Sequence, residues 1–245
     1  MRIFLLFIIS LFLSFNSYCQ LSKPDFSQID IQLSRLCQLR AHHVFSEQRN
    51  EVMGNFNSMM LEAISHPLSF NYPFDSLERC IYITYSSDSL VRCYSYDNLD
   101  GGSFHTYTNI TSYYTENGNF QSQLMIPEKE SPMIGFDRII RLNPPEQKLY
   151  LFKGFGTYGG GKQHISFQLF KIENDTLSEC FDCYEDYSPL FIEQNRGQDF
   201  EIEFDQKTQR IEAKVYRFDN ETGFYTNEYD LVYYSIQNGL LKQIR

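Results

Sequence analysis

The spacing of apolar residues changes once along this chain. Between residues 24 and 66 they recur about every 3.6 positions, which is typical of helices with one buried face. Polar residues at 46–51 divide the stretch, so the pattern predicts two helices rather than one. Because the apolar face is one-sided, we expect both helices to pack on another layer. The repeating positions are Phe26, Ile29, Leu33, Leu36, Cys37, Val44, Val52, Met53, Phe56, Met59, Met60, Ala63 and Ile64.

The ends of this helical stretch carry their own sequence features. Asp25 precedes the first apolar position and Gln28 follows three residues later, which is the spacing of a capping box at a helix N-terminus. At the other end, Pro67 disfavours helical backbone at His66. We therefore expect the helical segment to cover residues 24–66.

From about residue 79 onward, apolar and polar residues alternate with a period of two, which predicts β-strands. About a dozen such strands follow without a long helix between them, so we expect antiparallel sheets. Segments 171–177 and 235–241 share one pattern of strand, tight turn and strand, which indicates a repeated hairpin. The predicted turns include Ser86–Ser89, Gly101-Gly102, Asn117-Gly118, Glu173–Asp175, Asp205–Thr208 and Gln237–Gly239.

The predicted fold class is mainly β (α+β), with N-terminal helices packed on a meandering antiparallel β-sheet assembly. The pattern leaves a sandwich, a barrel and a propeller-like arrangement open. We expect a single domain at residues 20–245, because a chain of this length can bury one substantial core. Within it, the helical segment covers 24–66 and antiparallel β covers 79–245.

The first residues have the pattern of a secretory leader. Arg2 precedes a 13-residue apolar run at 3–15, which is shorter than the about 20 residues that a membrane span needs. Ser17 and Cys19 are small residues at the positions that precede a cleavage site, so residues 1–19 are the predicted signal peptide. The alternative, lipidation of Cys19, is disfavoured by the bulky Tyr18. We expect a periplasmic or secreted protein with no membrane span.

Charge and aromatic content narrow the class of partner. Without the leader and its Arg2, 20 basic and 31 acidic residues remain, a net charge of −11. This acidity argues against nucleic-acid binding, because phosphate backbones are repelled. The chain has 18 Tyr, 22 Phe and no Trp. These rings are typical of packed sheets, and they can also form platforms for a glycan or a peptide.

A glycine-rich segment, 156–162, matches the first part of a phosphate-binding loop. Gln163 stands where such a loop needs Ser or Thr for Mg²⁺, and the residues that follow alternate like a strand. A phosphate loop must instead open a helix, whose amides bind the phosphates. We therefore interpret the segment as a glycine hairpin and expect no nucleotide or other cofactor.

The cysteines suggest structural disulfides. Cys80 and Cys93 lie on the two arms of one predicted hairpin and could pair, and Cys180 and Cys183 could close a small loop. Cys37 would then remain as a buried thiol. A single C-x-x-C is half a zinc site, and its acidic flanks disfavour a reactive thiolate, so we expect neither metal binding nor redox catalysis.

No familiar catalytic pattern is present. The chain lacks H-E-x-x-H and G-x-S-x-G sequences. Ser103 and His105 would share one face of a strand at about 7 Å, which is too far for direct proton transfer. Acidic residues are plentiful, but nothing in the sequence selects a catalytic pair among them.

Five short segments carry a resemblance: Ser69–Leu77, Ser87–Ser95, Gly101–Ser103, Tyr150–Gly156 and Phe170–Asn174. Together they are similar to a group of exported Bacteroidetes proteins, across most of residues 24–245. The resemblance implies a protein of the bacterial envelope. No activity is established for that group, so the resemblance implies no catalytic residue.

The function that the sequence favours is a non-catalytic envelope protein that binds a glycan, a peptide or another protein. Its ligand is expected at two loops, around residues 100–105 and 158–164. The alternative is a hydrolase that acts on polysaccharide or peptidoglycan, and a third possibility is a structural or inhibitory envelope factor. The predicted ligand-binding residues are Asp100, Ser103, His105, Tyr158, Lys162 and His164.

Overall fold

The computed structural model describes residues 24–42, 48–100, 102–126, 133–143 and 148–244. The predicted signal peptide at 1–19 lies outside these ranges. Within them, no helix is long and apolar enough to cross a membrane.

Two helices open the described chain, α1 (Phe26–His42) and α2 (Arg49–Ile64). Asp25 caps α1, because its Oδ1 accepts hydrogen bonds from the backbone N of Ser27 at 3.1 Å and of Gln28 at 3.2 Å. Both the division into two helices and the predicted N-terminus are therefore confirmed. Short 3₁₀ turns at Pro67–Asn71, Asp75–Leu77 and Phe181–Cys183 complete the helical structure.

Thirteen strands form three antiparallel sheets in the described residues. The first sheet contains β1 (Tyr82–Tyr85), β2 (Val91–Asp97), β3 (Tyr107–Tyr114) and β4 (Phe120–Met125). The second contains β5 (Gly135–Arg141), β6 (Leu149–Tyr158), β7 (Lys162–Glu173), β8 (Thr176–Glu179) and β9 (Leu190–Asn195). The third contains β10 (Ile202–Asp205), β11 (Arg210–Asp219), β12 (Phe224–Gln237) and β13 (Leu240–Ile244).

Each sheet is a meander in which consecutive strands pair, apart from β9, which adds to the first half of β7 beside β8. The predicted mainly β class with helices packed on antiparallel sheets is confirmed, and the assembly is not a closed barrel. The two segments with a shared pattern, 171–177 and 235–241, are both hairpins. Their turns lie at Asn174-Asp175 and Asn238-Gly239, where all four residues have positive φ. They join the third and fourth strands of the second and third sheets.

Three apolar clusters show how the layers stack. The first joins α1 and α2 to one face of the first sheet, through residues such as Phe56 and Tyr94. The second fills the space between the first and second sheets, around Phe136 and Phe152. The third lies between the second and third sheets, around Phe167. The order is therefore helices, first sheet, second sheet, third sheet, and the second sheet is covered on both faces.

Hydrogen bonds attach β5 to the first sheet. The backbone N of Phe136 donates to Ser95 Oγ at 2.7 Å, and Asn109 Nδ2 donates to the backbone oxygen of Ile134 at 2.7 Å. Ser95 Oγ in turn hydrogen-bonds Asn109 Oδ1. These bonds fix the first and second sheets relative to each other where their strands diverge.

The disulfides confirm one predicted pair and correct the other. Cys180 and Cys183 are bonded, as expected, whereas Cys80 is bonded to Cys37 of α1. Cys93 is a buried free thiol. The predicted Cys80–Cys93 bond was wrong because the register places Cys93 opposite Thr84. Cys80 precedes β1 and lies at the helix side of the first sheet, within reach of α1.

Candidate ligand-binding cleft and loop junction

A cleft opens between the first and second sheets, with a volume of about 270 Å³. The strands β3 and β4 form one wall, and β5, β7 and β8 form the other. Its size is near the lower end of ligand pockets, which are about 300–1,000 Å³. The lining residues are Tyr107, Asn109, Gln123, Leu124, Met125, Ile126, Met133, Ile134, Phe136, Gln168, Phe170, Leu177, Ser178, Glu179 and Phe181.

The apolar part of the cleft is a rigid aromatic wall. Phe170 and Phe136 have ring centroids 6.0 Å apart in an edge-to-face arrangement, and Phe152 supports Phe170 from behind at 4.5 Å. Such pairs keep their rings fixed in position. Methionine and aliphatic side chains from β4 and from residues 133–134 extend this apolar part of the lining.

One polar group in the cleft is left without a partner. The Gln168 side chain is only 5% exposed, yet its amide makes no hydrogen bond to any other described residue. The neighbouring amides are occupied, since Asn109 bonds Ile134 and Gln123 Nε2 donates to the backbone oxygen of Leu177 at 2.6 Å. The polar atoms of Gln168 are not sealed from solvent, so the amide faces the open cleft. Gln168 therefore offers a free donor and a free acceptor to whatever enters the cleft.

Glu179 is the single carboxylate among the described residues that line the cleft. Its Oε1 accepts a hydrogen bond from the Tyr184 hydroxyl at 3.1 Å. Burial raises the pKa of Tyr184, and the nearby Glu179 carboxylate raises it further. A mechanism with two carboxylates is therefore not assembled by the described lining of this cleft.

The two loops that the sequence singled out lie against each other at another edge of the molecule. The backbone N of His105 donates to Thr157 Oγ1 at 3.3 Å. The Arg196 guanidinium bridges the loops, because it donates to the backbone oxygen of Ser103 and, at 3.4 Å, to that of Tyr158. We call this contact between residues 97–106 and 157–164 the loop junction. Its role in ligand binding stays a prediction.

The polar residues of the first loop are engaged with one another. His105 Nδ1 lies 2.5 Å from Asp97 Oδ2, and Asp100 Oδ1 accepts from Thr106 Oγ1 at 2.6 Å. Asp97 is bound from behind by Arg40, whose guanidinium donates to its backbone oxygen. This network holds the loop in one shape and leaves the Asp100 carboxylate with a structural partner.

The second loop is the glycine hairpin that the sequence predicted. Gly160 and Gly161 have φ of 78° and 82°, a region that favours glycine, and Lys162 begins strand β7 rather than a helix. The Lys162 ammonium lies 4.7 Å from the centre of the Phe218 ring, which ties the hairpin to the third sheet.

His164 is placed differently from the other predicted ligand-binding residues. Its side chain is 1% exposed and lies between Tyr158 and Phe191, with ring centroids at 4.7 Å and 6.0 Å. Neither ring nitrogen has a hydrogen-bond partner. Burial lowers the pKa of His164 to about 4, and Glu193 on the paired strand opposes this only in part. The imidazole is therefore neutral at pH 7 and closed off from solvent.

Glu193 also connects two tyrosines beside this histidine. Its Oε2 accepts a hydrogen bond from the Tyr225 hydroxyl at 2.6 Å. Burial, followed by the Glu193 charge, raises the pKa of Tyr158 to about 12. Tyr225 is shifted in the same direction, by burial and by its bond to Glu193. This cluster joins the second sheet to the third and leaves both hydroxyls protonated at neutral pH.

The sequence analysis missed the cleft and Gln168. Residues 164–169 alternate between polar and apolar side chains, which predicted a strand. In the structure the polar side of this strand, with His164, Ser166 and Gln168, is buried. Across the described ranges, no group of three or more His, Cys, Asp or Glu side chains could hold a metal ion.

Comparison with known proteins yields no relative. No protein-family model matches the chain, and no curated protein or solved structure matches it significantly.

Proposed function

We propose that this chain is a non-catalytic binding protein of the bacterial envelope, and that its cleft holds an apolar side chain of a peptide ligand. The observation that carries the proposal is the Gln168 amide, which has no partner among the described residues, in a cleft lined by apolar and polar side chains. A peptide supplies both an apolar group for the wall and backbone amide groups for Gln168. The ligand then takes the place of solvent at the Gln168 amide.

The composition of the cleft favours a peptide over a glycan. Its wall is built largely from Met, Ile, Leu and Phe side chains, and the amides of Asn109 and Gln123 are already occupied. A sugar would bring several hydroxyl groups into this space and leave most of them without partners, which costs free energy. A ligand that brings one apolar side chain and one backbone amide matches the apolar wall and the Gln168 amide.

The two disulfides support the proposed location. Disulfides persist in oxidising extracellular or periplasmic environments. The choice between periplasm and secretion, the cleaved leader and the kinship with exported Bacteroidetes proteins stay predictions from the sequence. The hydrolase alternative also stays a prediction, and the single described carboxylate of the cleft gives it no support.

A direct test measures binding of short capped peptides by isothermal titration calorimetry. The panel contains pentapeptides with a central Leu, Met, Phe or Asp, together with oligomers of glucose and of N-acetylglucosamine. We expect saturable binding of the apolar peptides and none of the Asp peptide or the sugars. Gln168→Leu should weaken peptide binding about tenfold, which corresponds to the loss of about 1.4 kcal/mol.

The matched control is Gln237→Leu, which makes the same change at an exposed position of β12 in the third sheet, outside the cleft. Its peptide affinity should equal that of the unmodified protein. The proposal fails if no peptide of the panel binds saturably, or if the Gln168 and Gln237 variants bind the peptides equally well.

A further inference from the structure

The strand β4 is an unpaired edge beside the cleft. It pairs with β3 on one side and is the last strand of the first sheet, so its other side has no strand partner among the described residues. Residues 123–125 at the end of this strand, and Ile126 directly after it, line the cleft. The edge is also apolar, with Leu124 exposed at 45% and Ile126 at 81%.

The register shows which backbone groups of β4 are free. The hairpin closes with a hydrogen bond from the Thr115 N to the Asn119 oxygen, so the pairs that bond across it alternate from there. Residues 121, 123 and 125 direct their amides toward β3. Ser122 and Leu124 therefore direct their N–H and C=O groups outward, and an exposed row of this kind is a template for another strand.

The side chains of an added strand would alternate in the same way. In an antiparallel pair, residues directly opposite each other point to the same face of the sheet. The side chains of Gln123 and Met125 face the second sheet, as shown by the bond from Gln123 to Leu177. A residue opposite either one would therefore enter the cleft, and a residue opposite Leu124 would lie on the helix side.

We propose that the ligand binds as an extended strand that pairs antiparallel with the free edge of β4 and inserts alternate apolar side chains into the cleft. This inference rests on the proposed peptide-binding function and adds the binding mode. Main-chain bonds to Ser122 and Leu124 would supply affinity, and the cleft with Gln168 would select the inserted side chain. This is recognition by β-strand addition.

Backbone methylation of the peptide tests this binding mode. The probe is a capped heptapeptide of alternating threonine and leucine, in which the leucines are the residues that enter the cleft. In an antiparallel strand the threonine amides face β4 and the leucine amides face away. We expect N-methylation of two of the threonines to weaken binding at least tenfold, and N-methylation of two of the leucines to change it less than threefold.

The two methylated peptides have the same composition, so each is the control for the other. Equal affinities for them overturn strand addition, and a reversed preference overturns the antiparallel direction. If the unmethylated peptide binds, and Gln168→Leu weakens it, while both methylated forms bind equally, the proposed function stands and only this inference fails.

A change in the protein gives an independent readout. Leu124→Pro removes an N–H that faces outward, so the pairing with β3 is kept. Leu124→Val is the matched control, since it shortens the side chain and keeps the amide. We expect the Pro variant to bind the heptapeptide at least tenfold more weakly than the Val variant, with both chains folded as judged by near-ultraviolet circular dichroism.

A second copy of the chain could also pair through this edge. Sedimentation equilibrium of the unmodified protein distinguishes this occupant from a peptide. A monomer that becomes saturated by the heptapeptide supports the proposal. A dimer that dissociates in the Leu124→Pro variant and does not bind the peptide overturns it, and would assign the edge to self-association.

Discussion

The second and third sheets differ in how they are covered. In β7, the central strand of the second sheet, eight of twelve residues are buried, whereas in β12 of the third sheet two of fourteen are. The second sheet lies between two apolar clusters, and the third has one face in contact with the protein and one face in solvent. The same hairpin architecture therefore produces two different environments.

The difference changes the energetic cost of a polar or an apolar side chain at a given position. In the third sheet, exposed side chains such as Leu231 and Tyr233 occupy the open face, where an apolar residue costs little. In the second sheet, polar side chains such as His164 and Ser166 are buried without hydrogen-bond partners, at a cost in stability. An unpaired polar residue in a covered sheet therefore calls for a functional or structural reason, and one in an open sheet does not.

The largest expected effect compares one phenylalanine from each sheet. Phe152 is fully buried in the second sheet against Phe170 and Phe136, and its truncation to Ala leaves a cavity. We expect Phe152→Ala to lower the free energy of unfolding by about 3–5 kcal/mol. Phe218→Ala, at a half-exposed position of the third sheet, should cost less than about 1 kcal/mol. Urea denaturation measures both, and equal losses would contradict the comparison.

The next effect is a pH dependence that originates at His164. Its pKa is about 4 when folded and near 6.5 when unfolded, so the unfolded chain binds the proton more readily. Stability should therefore fall as the pH drops from 6.5 toward 4. Between pH 7.5 and pH 4.5 the contribution of His164 is about 2.5 kcal/mol.

The measurement is the change in unfolding free energy between those two pH values. In His164→Asn this change should be smaller than in the unmodified protein by that amount, whereas His42→Asn, on the exposed side of α1, should leave it unaltered. NMR titration of the unmodified protein provides a second check. A His164 imidazole that protonates above pH 6 would contradict its burial.

The smallest effect concerns Gln168. Its amide bonds to no other described residue and faces the open cleft, so Gln168→Leu should change the free energy of unfolding by less than about 1 kcal/mol. Together with the expected loss of peptide binding, this would separate the role of Gln168 in binding from its role in folding. Thermal denaturation tests it, and a destabilised variant would show that Gln168 has a structural role.

The sequence was sufficient to predict the local elements. The 3.6-residue spacing predicted both helices, and the turn residues predicted the hairpins, because these features depend on neighbours in the chain. The expectation that a ligand binds at the loops around 100–105 and 158–164 stays a prediction. The stacking order of the sheets was not anticipated, because it depends on which faces meet, and this is not encoded in alternation alone.

The missed features share a physical cause, which is dependence on distant segments. Cys80 pairs with Cys37, 43 residues earlier, because the helices fold back onto the first sheet. The cleft combines β4 with β7 and β8, and the alternation around Gln168 predicted only a strand. For the same reason His164 was expected at a ligand site, and its burial was not foreseen.

The Cys93 thiol can report on the separation of the first and second sheets. Its thiol lies in the apolar cluster between the first and second sheets, and burial raises its pKa, so it is unreactive while those sheets stay together. A thiol reagent reaches the sulfur only when the layers separate. In the unmodified protein, the rate of labelling therefore measures how often the interface that forms the cleft opens.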